Sequence, residues 1–240
     1  MVDKYPSISP YAFCAWNPVK LVDPDGRAMG NFYDCDGNLV GSDGKEDGKI
    51  FLLRQTKNSF DSKPGPNGEQ ARVNHISPEE LQSTIAFIAG NNNNTNAFTE
   101  ECIAYTNSIE IESFSIMKAM YNACITNEFY PRNEIGGVVN REGNIDRVAV
   151  GTTDNVGVTV YTNMDKCWFH CHLPDLKRHG GYNESILDKH DRYHAPSYSD
   201  TQQFQSNPSL KGYVFDTQNE RTYIIQGGEI QGYIKTSTFQ

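Results

Sequence analysis

The sequence predicts an α+β fold: a mostly antiparallel sheet with flanking helices, preceded by a turn-rich tail and a small lead-in region. Two observations carry this. The stretch IEIESFSIMKAMYNACIT (109–126) has a helical apolar period. From Glu134 onward the pattern becomes β, in the runs EIGGVV, IDRVAVG, VGVTVYT, KCWFHCH, GYVFD, RTYIIQ and EIQGYIK, with turns such as REGN (141–144) and TQNE (217–220) between them. One helix feeding such a series of strands is an α+β arrangement.

At 240 residues the chain can bury a sizeable core, and its aromatic content argues against wholesale disorder. Thirty acidic against 21 basic residues give a formal charge of −9, which disfavours a general nucleic-acid or membrane-surface binder. No run of about 18 apolar residues suits a membrane span, and the first residues lack the basic start and apolar stretch of a signal peptide. The six cysteines form no CxxC pair, so buried thiols are expected rather than a zinc ribbon or a disulfide framework.

The elements follow in order. Residues 4–27, KYPSISPYAFCAWNPVKLVDPDGR, read as successive turns. Residues 31–54 read as a hairpin or meander, with turn signals at Asp36-Gly37 and Asp47-Gly48. The run DGKEDGKI from Asp43 is spaced like a calcium loop, but Lys45 and Arg54 stand where oxygen ligands belong, so it is a turn. A polar loop (55–72) leads to a helix whose N-cap is Ser77, with Pro78 at the first position, Glu80 completing a capping box and Ile76 stapled to Leu81. Leu81, Ile85 and Ile88 share its buried face, and Gly90 with NNNNTN ends it. In the second helix Phe114, Met117, Tyr121 and Cys124 form a stripe that reads as core.

The chemistry concentrates in FHCHLPD (169–175) and HAPSYSD (194–200). Alternation along a strand puts Trp168, His170 and His172 on one face and Cys167, Phe169 and Cys171 on the other, so both imidazoles project into one space while Cys171 faces the core. Two such histidines can grip one metal ion. Asp200, ahead of a helix start, is the candidate third ligand, and Ser197 lies one turn before it. Upstream, Glu134 opens a strand whose Gly136 and Gly137 signal close approach of another backbone or a ligand. A carboxylate beside a zinc-activated water is the general base such hydrolases need.

Two family resemblances rest on these residues. The opening segment, ending Asp23-Pro24-Asp25-Gly26-Arg27, resembles the end of the Rhs/YD-repeat core of bacterial polymorphic toxins. In that family the toxin domain begins immediately after the motif. Such cores often cut themselves with aspartates within and upstream of it. Asp23 and Asp25 are present without an upstream partner, so no self-cleavage is expected. Glu134, then His170-x-His172 with Pro174 behind, then Pro196-Ser197-x-x-Asp200, resembles the JAB/MPN (JAMM-motif) metallopeptidases over roughly residues 108–235. The resemblance implies a Zn²⁺ site with His170, His172 and Asp200 as ligands, Glu134 as general base and Ser197 supporting the oxyanion. The 27 residues between His172 and Asp200 exceed the family's usual spacer, and this insert brings His190 and His194 forward as alternative ligands or makes a lid.

The implied organisation is an Rhs-core tail (1–28), a lead-in region (29–107) and a JAB/MPN-like domain (108–240). The implied activity is that of a zinc-dependent peptidase or isopeptidase, the toxin tip of an effector delivered by a specialised secretion system such as type VI. It would act on a protein in the target-cell cytoplasm and be masked by a cognate immunity protein. No nucleic acid or membrane partner is expected. The alternatives are a metal-dependent nuclease toxin, suggested by the His-rich DKHDRYHAP, and a non-catalytic binding module on the same fold.

Overall fold

A computed structural model describes residues 30–57, 69–152, 156–157, 160, 164–174, 195–205 and 207–240. The tail at 1–28, His190, His194 and most of VGVTVYT lie outside the described residues. Two sheets carry the chain. The smaller has the order β2-β1-β3-β5, from β1 (Asn31–Tyr33), β2 (Leu39–Ser42), β3 (Ile50–Leu53) and β5 (Ser108–Ile111). The larger has the order β4-β11-β10-β9-β8-β6-β7. Its strands are β4 (Arg72–Val73), β6 (Ile135–Asn140), β7 (Ile145–Val150), β8 (Asp165–His172), β9 (Lys211–Asp216), β10 (Arg221–Gln226) and β11 (Glu229–Lys235). Its pairs are antiparallel except β8–β9 and β4–β11. The fold is thus α+β and mostly antiparallel.

The Asp36-Gly37 signal marks a true hairpin turn, with Gly37 at φ +82° and Asp34 Oδ1 accepting from Asp36 and Asn38 N–H. At Asp47-Gly48 the outcome differs. The turn forms, with Gly48 at φ +69°, but β3 pairs in parallel with β1 rather than back onto β2. Turn chemistry is local, and the choice of partner is not.

Helix α1 (Pro78–Gly90) has the anticipated capping box, with Glu80 N–H donating to Ser77 Oγ at 3.1 Å and Ser77 N–H donating to Glu80 Oε2 at 2.8 Å. Helix α3 (Phe114–Ile125) is shorter than the 18-residue stretch expected. Residues 108–111 instead form β5, paired antiparallel with β3, and Ser113 caps the helix. Ile109 and Ile111 each fit an apolar period of two or of 3.6, and the waiting edge of β3 decides between them.

The layering follows from alternation. Phe32, Phe51 and Leu53 pack the smaller sheet against α1 and the short α2 (Ile103–Thr106), with Phe98 stacked on Phe32 at 5.5 Å. Leu52, Ile109 and Ile111 leave its other face and meet Met117, Met120 and Cys124 of α3 above Cys167, Phe169, Cys171, Tyr213 and Phe215 of the larger sheet. The far face of the larger sheet holds Val138, Trp168, Val214, Tyr223 and Ile225, covered by Ala195, Phe204 and Leu210. That far face carries the histidines.

Candidate metal centre

Strand β8 lies inside the sheet, with β6 antiparallel on one side and β9 parallel on the other. Its core-facing side chains, Cys167, Phe169 and Cys171, are fully buried, which fixes the register and sends His170 and His172 to the opposite face. Their Nε2 atoms converge to 2.9 Å. Thr217 Oγ1 donates to the His172 carbonyl at 2.7 Å and pins the strand end. Nothing in sequence pattern marks Thr217, since it acts through backbone.

Asp200 comes from α4 (Tyr198–Gln202), whose N-cap is Ser197. The S-x-x-D spacing is a capping box: Asp200 N–H donates to Ser197 Oγ at 3.2 Å, and Ser197 N–H donates to Asp200 Oδ2 at 2.6 Å. The Ser197 hydroxyl also donates to Oδ2, at 2.7 Å. With Oδ2 so engaged, Oδ1 stands 3.5 Å from His170 Nε2, while Oδ2 is 3.6 Å from His172 Nε2. The three sequence-predicted ligands therefore meet, although 27 residues separate the second from the third.

All three are at least nine-tenths buried, and their ligand atoms lie within 4.8 Å of one another. Donors around a tetrahedral zinc-sized ion sit about 3.3 Å apart. The 2.9 Å between the two Nε2 atoms and the 3.5 Å from His170 to Asp200 Oδ1 lie on either side of that edge, and one donor atom from each residue falls within 4.8 Å of the others, so the residues could hold a metal ion. The protonation states suit it as well. Burial pushes His170 down to about 3, the charge of His172 adds to this and Asp200 opposes it, so the ring is neutral as a ligand must be. For Asp200 burial acts upward, but the two imidazoles and the Ser197 hydrogen bond outweigh it and hold the carboxyl below the usual range. The cluster holds an ionised carboxylate and a neutral imidazole out of bulk water.

Compared with protein-family models, curated proteins and solved structures, the chain finds no match. The site therefore stands on its own residues.

Glu134 precedes β6 and is buried. Its N–H donates to Thr152 O at 2.7 Å and its carbonyl accepts from Gly151 N–H at 2.8 Å. Gly136 pairs with His170, so continuing the register sets Glu134 opposite His172, on the histidine face. Gly136 is where close approach was expected, and a Cβ there would stand 3.0 Å from Phe169 O and 3.2 Å from His170 Cβ. A Cβ at Gly137 would meet the Phe169 ring at 2.5 Å.

Behind the site, Cys171 and Cys124 grip one residue of β6. Ile135 N–H donates to Cys171 Sγ and Cys124 Sγ donates to Ile135 O, both at 3.4 Å. These thiols tie α3 and β8 to the residue after Glu134. Cys171 faces the core, as strand parity predicts.

Proposed function

We propose that this chain is a metal-dependent hydrolase of the peptidase or isopeptidase type, with zinc as its metal. The observation that carries the reading is the convergence of His170, His172 and Asp200 in a buried cluster, on the sheet face that the register of β6 also gives to Glu134. A bound divalent cation of this kind supplies Lewis acidity, polarising a carbonyl and bringing the pKa of a water toward about 7. The chain's own residues supply the rest. His170 and His172 present ring nitrogens, and Asp200 offers Oδ1 while Ser197 holds Oδ2. Glu134 receives the proton that the attacking water gives up and returns it to the leaving amine. Ser197 donates its hydroxyl proton to Asp200 Oδ2 and would have to turn from it to support an oxyanion.

The Rhs-like tail supports reading the catalytic part as the toxin end of a secreted effector. Its target would be a protein of the recipient cytoplasm, and an immunity protein of the producing cell would cover the site. The net charge of −9 favours a protein substrate over nucleic acid or anionic lipid.

Elemental analysis of the purified protein beside His172→Ala tests the reading. Near-stoichiometric zinc that disappears in the variant supports it, and Glu134→Gln should then keep its zinc while losing peptide-bond cleavage. Absence of zinc after refolding with the metal, or plasmid nicking in place of peptide cleavage, would overturn it.

A further inference from the structure

Asp200 reaches the histidines from an element that cannot hold itself in place. Helix α4 has five residues, and so short a helix is not stable alone. The hydrogen bonds of Ser197 with Asp200 and of Thr201 with Tyr198 run within the segment and shape it without docking it. Besides the contacts of Asp200 with the histidines, its attachment to the sheet includes an apolar one. Phe204, four residues beyond Asp200, is 1% exposed and joins Val138, Trp168 and Val214.

The seat of that ring is built from the same strands as the site. Trp168 of β8 and Gly212 of β9 are register partners. A Cβ on Gly212 would lie 2.7 and 3.1 Å from Phe204 Cε2 and Cε1, so the missing side chain is the space the ring occupies. The Phe204 ring centroid is 5.7 Å from that of Trp168, which in turn lies 4.5 Å from that of His170. A chain of ring contacts thus runs from the segment bearing Asp200 to the strand bearing the histidines.

We infer that Phe204, seated on Gly212 against Trp168, is a positioning residue that delivers Asp200 to the metal ligands. The inference rests on the proposed metal site and adds to it the device that closes the gap between its two halves. Phe204 touches neither metal nor substrate. It fixes where the third ligand stands, and second-layer supports of this sort change metal affinity by about 10–100-fold.

The test is zinc affinity of the metal-free protein, measured by competition with a chromogenic chelator. The variants are Phe204→Ala, Phe204→Leu, Gly212→Ala, Asp200→Ala and the double variant Asp200→Ala with Phe204→Ala. Phe204→Ala and Gly212→Ala should each weaken zinc binding about 10–100-fold, and Phe204→Leu should recover part of the loss. Gly212→Ala removes no core volume, so its effect would not come from a cavity. A residue acting through Asp200 has nothing left to do once Asp200 is gone. The double variant should therefore bind zinc as Asp200→Ala does. Wild-type affinity in Phe204→Ala and Gly212→Ala, or multiplied losses in the double variant, would overturn the inference while leaving the metal site intact. Wild-type affinity in Asp200→Ala would instead remove the ligand role, and the positioning role with it.

Discussion

At the scale of single residues, a capping serine and a ligand aspartate are one structure. Ser197 caps α4 and orders the carboxylate that would bind metal. Ser197→Ala should cost about 1 kcal/mol as a lost cap and lower zinc affinity about 10–100-fold through the freed carboxylate, read by thermal unfolding and chelator competition. His170 makes a second prediction, for the metal-free protein. Its folded pKa, about 3, lies below the ordinary 6.5, so below pH 6.5 the unfolded chain takes up a proton that the fold refuses. Stability contributed by the neutral ring is complete above 6.5 and declines as pH falls toward 3. The unfolding midpoint should drop between pH 7 and 4.5, and His170→Gln should flatten that dependence. The histidine pair and Asp200 were legible because an H-x-H in a strand and an S-x-x-D before a helix are local patterns with fixed geometry. The seat of Phe204 against Trp168 was not, because ring-on-ring packing across 36 residues leaves no periodic trace.

At the scale of elements, the larger sheet tolerates little at the head of β6. Gly137 has the Phe169 ring on one side and the Arg147 carbonyl 2.6 Å from where a Cβ would stand. Gly137→Ala should destabilise by about 1–3 kcal/mol through overpacking, read from the urea midpoint. Local signals succeeded wherever the answer was local. The capping box of α1 lies within four residues and placed the helix start at Pro78. They failed where a partner distant in sequence decides. Ile109 and Ile111 belong to a strand because β3 lies alongside them, and β3, parallel to β1, sends Leu52 to one core and Phe51 and Leu53 to the other.

For the whole molecule, the two sheets share their parts. Strand β4 comes from the lead-in region yet extends the larger sheet beside β11, and β5 closes the smaller sheet from within residues 108–240. Gln55 Oε1 accepts from Tyr233 N–H at 2.9 Å, and Arg54 pairs with Gln231. Residues 30–240 should therefore unfold in one transition, with far-UV circular dichroism and fluorescence coincident along a urea gradient. Two separated midpoints would show that the sheets are independent. The topology also bears on how such a site can vary. Parallel neighbours cannot be joined by a tight turn, so a chain leaving His172 at the end of β8 must travel the length of the sheet before entering β9 at Lys211. Asp200 is picked up on that return journey. Lengthening the journey costs little, because closure entropy grows only with the logarithm of loop length. The distance in sequence between the histidines and the aspartate is therefore free to drift while the distance in space stays put, and a motif defined by its spacing will miss relatives that keep the same centre.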